Sequence, residues 1–307
     1  MAISRRPATW ADIEPGLSMQ EWNRGSALVG MEAARQCWQR LFRSPFFGSA
    51  VLEAHPPIEG NRLVGFGASV LVTSAFADAE LAHPRPDINA RIVAALHAGE
   101  PVVPTRDQVA EANAGAGIDV VVLCGRTWRY ELLSPEQSHE AQHLLASGFA
   151  EGHAGYRMHR VLCESAAPRT REYLQRSLVF RIVTEFPAQG RALHCMTQES
   201  AKTVAASLGT GLFNYREPRL RLRESDQELL HAALSGATDQ ELAAVLGLQQ
   251  AAVKARWRSA IARIAETMPD LVGDEEDHEG RGAQKRHRVL AWLRTHPEEL
   301  RPYAWKG

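Results

Sequence analysis

His139 and His143 frame the pentapeptide HEAQH, in which two imidazoles one helical turn apart could hold zinc while Glu140 acts as general base. That chemistry needs a helix, a third ligand and a wall that shelters the metal. The helix is expected, because Ser134-Pro135-Glu136 reads as an N-cap, an N1 proline and a first-turn acid. At about 100° per residue, Ala141, Leu144, Leu145, Gly148 and Phe149 gather on one face and the two histidines fall nearly opposite. Ala146 and Phe149 stand where an extended zinc motif would place a glycine and a third histidine, and spacing singles out none of Glu151, His153 and Glu164 as a ligand. No metal site is assigned. The pair reads as solvated, with His139 and His143 the ligands should a metal be held.

GHAGYRMHR, Gly152 to Arg160, brings His153, Tyr156 and Arg157 together after a helix. These three could line a pocket for an anionic ligand, or belong to an ordinary polar connection. The four cysteines, Cys37, Cys124, Cys163 and Cys195, form no CxxC pair, so they read as reduced and mostly buried. No serine sits in a G-x-S-x-G elbow. No catalytic residue and no cofactor is assigned.

The elements that must position these groups divide by composition. With 307 residues the chain is long enough for about two domains. A hydrophobic share of 45% and a charged share of 23% exclude a largely disordered or fibrous chain. A formal net charge of −1 gives no global attraction to nucleic acid or anionic membrane, so such binding would need local clustering of cations. The start, MAISRRPATW, has no apolar run behind its arginines, and no window suits a membrane span, so a cytoplasmic protein is expected.

Along the chain, helical spacing is read from Ala27 to Phe42 and from Ile88 to Ala98, with strands over Gly48–Glu53 and Arg62–Thr73. IDVVVLC, Ile118 to Cys124, has the length and continuous apolarity of a strand covered on both faces. A helix from Pro168 to about Ser177 leads into the strand-like LVFRIVTEF. Residues 1–215 therefore predict one α+β domain with a mixed sheet. Past Tyr215 the basic REPRLRLRE reads as a linker, and later periodic segments are helical.

Two capping boxes follow, Ser225-Asp-Gln-Glu228 and Thr238-Asp-Gln-Glu241, each starting a short helix, the first ending at Gly236 and the second at Gly247. A third helix from about Gln250 to Ile264 carries Val253, Trp257, Ile261 and Ile264 on one stripe and Lys254, Arg256, Arg258 and Arg263 elsewhere. A helix of this kind can lay its amino-terminal half in the major groove. This segment, LRESDQELLHAALSGATDQELAAVLGLQQAAVKARWRSAIARI, resembles the LuxR-type (NarL/FixJ-type) helix-turn-helix of bacterial transcription regulators, and its VKARWRSAIARI is similar to the last helix of sigma-factor region four. The resemblance implies an all-α domain over 222–268 and double-stranded DNA as partner, met by Thr238, Gln249, Gln250, Lys254, Arg256 and Arg258. It implies a homodimer, with an amino-terminal sensor for a small-molecule effector. Ala252 and Gln249 depart from the family's usual threonine and serine. A short basic helix and tail occupy 281–307.

RLVGFGASVLV and YLQRSLVFRIVTEF resemble two elements of the GNAT acetyltransferase fold, a central strand and a helix running into a strand. That resemblance implies a Q/R-x-x-G-x-G/A loop whose amides hold coenzyme A. The nearest stretch, Ala112 to Gly117, lacks the leading Gln or Arg. The reading favoured by the sequence is a non-enzymatic, LuxR-type transcription regulator. The alternatives are a GNAT-like acyltransferase fused to a DNA-binding module and a sigma-like factor, with a zinc metalloprotease disfavoured.

Overall fold

In the computed structural model the described residues are 2–17, 24–127, 133–166, 168–204, 208–273 and 281–305. The chain divides into two compact units, one of Met1–Gln108, Ala116–His153 and Met158–Asn214, the other of Val109–Gly115, Ala154–Arg157 and Tyr215–Gly307.

Up to Leu212 the order is β1 (Ala2–Pro7), α1 (Trp10–Leu17), α2 (Arg24–Val29), α3 (Met31–Arg43), β2 (Phe47–Ile58), β3 (Asn61–Val72), α4 (Ser74–Ala82), α5 (Ile88–His97), α6 (Arg106–Ala114), β4 (Ile118–Thr127), α7 (Pro135–His153), β5 (Met158–Ser165), α8 (Pro168–Arg176), β6 (Arg181–Phe186), β7 (Arg191–Thr197), α9 (Gln198–Lys202) and α10 (Leu208–Leu212). The seven strands form one sheet in the order β1-β2-β3-β4-β5-β7-β6. Each neighbouring pair is antiparallel except β4 and β5, which are parallel. The first unit is thus α+β with a mixed sheet.

Alternation along the strands divides the core between the two faces of the sheet. Val51, Phe66, Val70, Val121, Leu162 and Leu193 share one apolar cluster with Trp38 and Leu41 of α3 and Ile88 and Ile92 of α5. Leu52 and Val64 share another with Ala141 of α7, against which Leu144 and Leu145 also pack. The expected helix over Ala27–Phe42 is two helices, because Gly30 at φ 84° breaks it. The strands around residues 48–73 are longer than the apolar runs suggest and make a hairpin.

Beyond residue 215 the described elements are helical: α11 (Glu224–Ala233), α12 (Asp239–Leu246), α13 (Gln250–Thr267), α14 (Pro269–Val272) and α15 (Arg281–Leu293). Thr238 caps α12 as its spacing predicts, its hydroxyl accepting from the Glu241 amide while the Glu241 carboxylate accepts from the Thr238 amide. Gly247 ends α12 at φ 63°, a left-handed conformation that favours glycine. The other capping box is displaced. Asp226, not Glu228, takes the free amide of Arg223, because Asp226 is buried and paired with Arg263 of α13. Leu220, Leu229, Leu230, Val253, Trp257 and Ile264 make this unit's core, and Val289 and Leu293 of α15 are buried in it.

Leu162 is fully buried on β5. Leu162→Ala is expected to cost about 2–5 kcal/mol in denaturant unfolding; a loss below about 1 kcal/mol would place this side chain outside the packed core.

Candidate active site

The parallel pair is short. β4 and β5 pair from Ile118 opposite Met158 to Val122 opposite Cys163, with a register shift between Ile118 and Asp119. Beyond that point β4 continues to Thr127, with Cys124–Thr127 paired to β3 after a register shift at Leu123, and Glu164 and Ser165 of β5 pair with β7. The ladder therefore opens at the carboxyl ends of its two parallel strands, the side on which open sheets hold ligands.

Polar groups line this opening from the face packed on α5. The Asn89 amide nitrogen donates to the Leu123 carbonyl, while its buried Oδ1 has no hydrogen-bond partner. The Glu164 carboxylate accepts from the backbone amides of Asp87 (3.0 Å) and Ile88 (2.8 Å), taking up the free amides where α5 starts. Arg191, 7% exposed, reaches Glu164 at 2.6 Å and Asp87 at 2.7 Å. One cation thus faces two carboxylates.

On the other face of the sheet, Ser165 and His194 are both buried, with Ser165 Oγ 2.9 Å from His194 Nε2. Burial is the main reason the His194 pKa falls below its usual value; Arg171 adds to the shift and Glu185 opposes it. At the amino end of the parallel pair, Asp119 bonds Arg160, which also meets Asp78 at 2.7 Å. Burial pushes the Cys163 thiol up to about 12, which removes it as a ready nucleophile.

The residues expected from sequence lie elsewhere. His139 and His143 are both exposed on α7. Among the described residues no three histidine, cysteine or acidic side chains converge as a metal site. Glu151 is paired with Arg5, and Glu164 with the start of α5. His153 is buried, its Nδ1 2.7 Å from the Phe149 carbonyl and its Nε2 3.4 Å from Ser69 Oγ. Tyr156 lies under the Arg301 guanidinium, and Arg157 stacks on Tyr215 and bonds Glu217. His153 and the other two belong to different units. On α13, Lys254 and Arg258 are exposed and Arg256 is half-buried 3.7 Å from Glu228, while the exposed Gln249 caps the helix that Gln250 begins. Asn89, Arg191 and Ser165 went unnoticed because each sits alone among unlike residues, and only the topology assembles them.

Coenzyme A does not fit here. Ala112–Gly117 precedes β4, at the opposite end of the strand from α7, and residues 128–134 between β4 and α7 contain no glycine. Residues 128–132 lie outside the described ones. The start of α7 is closed by its own side chains. Ser134 Oγ accepts from the Gln137 amide, Gln137 Oε1 accepts from the Ser134 amide, and Glu136 adds negative charge where a pyrophosphate would bind.

No family model and no curated protein matches the chain. Solved structures similar to it include the following three. An uncharacterized protein from Bacillus halodurans is 12% identical over 69% of this chain and 92% of that one, at a TM-score of 0.37. FeeM, an N-acyl amino acid synthase from uncultured soil microbes, is 11% identical over 66% and 95%, at 0.34. The C-terminal condensation domain of Ebony, in complex with beta-alanyl-dopamine, is 10% identical over 64% and 99%, at 0.36. The two neighbours with a stated function bear the names of a synthase and a condensation domain. None of the three bears the name of a transcription regulator, and the expectation of a non-enzymatic LuxR-type regulator is corrected on that finding. The expected DNA partner and homodimer had come from that resemblance. No helix among the described residues is long and apolar enough to cross a membrane.

The lowered His194 pKa sets a pH dependence. Its contribution to stability is fully present above the unfolded value of about 6.5 and is lost as pH falls through the folded value. Stability of the wild type is expected to decline below pH 6.5, and His194→Gln to flatten that decline; parallel pH profiles for the two proteins would contradict a buried neutral imidazole.

Proposed function

We propose that the first unit is a GNAT-type acyltransferase that moves an acyl group from a thioester to an amine in the opening between β4 and β5. The observation that carries this reading is the break in the parallel ladder after Val122 and Cys163. The two elements that resemble the GNAT fold occupy β3 and α8–β6 of this sheet.

The opening suits such a reaction physically. Strand edges without a ladder partner can pair with an extended, amide-bearing chain laid between them. The carboxylates of Glu164 and Asp87 at the opening suit an amine, which carries positive charge in solution. In the transfer the amine nitrogen bonds to the acyl carbon, the carbon–sulfur bond breaks, and the amine proton balances the departing thiolate as a free thiol. No step is assigned to coenzyme A. For the second unit the reading is one of shape only, with α12 and α13 forming a helix-turn-helix across Gly247.

The test uses the full chain with S-octanoyl-N-acetylcysteamine, a thioester without a pyrophosphate, and phenethylamine. Thiol release that depends on both protein and amine, at least about tenfold above buffer, is the expected result. Release no faster than in buffer, with octanoyl-coenzyme A failing as well, would overturn the reading.

A further inference from the structure

We infer that Asn89 is the residue that binds the acceptor amine, its Oδ1 taking an N–H of the incoming nucleophile; this deepens the acyl-transfer reading and rests on it. Asn89 is in the first turn of α5 and reaches β4 just where β5 departs. Its amide orientation is fixed from outside. The Leu123 carbonyl can only accept, so the group facing it must be the NH2, and exchanging nitrogen and oxygen would set two acceptors against each other.

Oδ1 is then a buried acceptor with no protein donor. Such a group is costly to leave unbonded. Among the described donors of this cluster Arg191 Nε is likewise buried without a partner, and the others are committed. The Asp87 and Ile88 amides are committed to Glu164, and the Arg191 NH1 group to Glu164 and Asp87. An amine supplies the missing N–H. Held by one hydrogen, a primary amine keeps its lone pair for the acyl carbon, and the neighbouring carboxylates favour the same ligand electrostatically. An ester or ether oxygen has no hydrogen to give and is excluded by the same geometry.

Asn89→Leu keeps the volume and removes the acceptor together with the donor to the Leu123 carbonyl. With S-octanoyl-N-acetylcysteamine and phenethylamine, the variant is expected to raise KM for the amine about tenfold. Its kcat should stay within about threefold of wild type and KM for the thioester should not change. Asn89→Ala, with the same expected split, replaces it if Asn89→Leu does not fold. An unchanged amine KM in a wild type that transfers would overturn the inference and leave the acyl-transfer reading standing. Parallel loss of kcat and of both KM values would make Asn89 merely structural and overturn it equally. Absence of transfer by the wild type would overturn both.

Discussion

Two parallel strands cannot be joined by a tight turn, and the pairing of β4 with β5 imposes this constraint on the first unit. The chain must leave β4, cross a face of the sheet and return at the starting end, and α7 is that crossing. Its apolar stripe is therefore committed to the sheet, and the polar stripe bearing His139 and His143 is left to solvent. The same constraint creates the opening. β4 follows its antiparallel partner β3, β5 follows β7, and the two separate once their short common ladder ends.

What lies at the separation is set by the loss of pairing. The Leu123 carbonyl, deprived of a β5 donor, takes the Asn89 amide. The first amides of α5 take Glu164, and Arg191 compensates the buried carboxylate. Each bond answers a local need of the backbone, yet together they place an unpartnered acceptor and two carboxylates at one end of the sheet. The proposed acyl transfer would draw on residues that the fold also needs, which is why substitutions here must be read through KM and kcat separately.

Much of the architecture was legible in the sequence. The apolar run at Ile118–Cys124, the cap at Ser134 and the glycine at Gly247 each carry a local physical signal strong enough to survive the tertiary context. β7 escaped because Arg191 and His194 interrupt its apolar pattern. Both are buried against partners on neighbouring elements, Glu164 and Ser165, that no local window contains. β1 escaped because as an edge strand it buries little beyond Ile3. The candidate site was almost wholly illegible. HEAQH drew attention by spacing along one helix, whereas Asn89, Glu164 and Arg191 are joined only by strand order. The helical segment carrying the regulator resemblance is real as structure, but it occupies the smaller unit and says nothing about the sheet.

The most direct test of the opening is to map the backbone amide resonances of the full chain on titration with S-octanoyl-N-acetylcysteamine. The account predicts shifts concentrated at Leu123–Thr127, Glu164, Ser165 and the first turn of α5. Shifts confined to α11–α15, or none at saturating thioester, would contradict it.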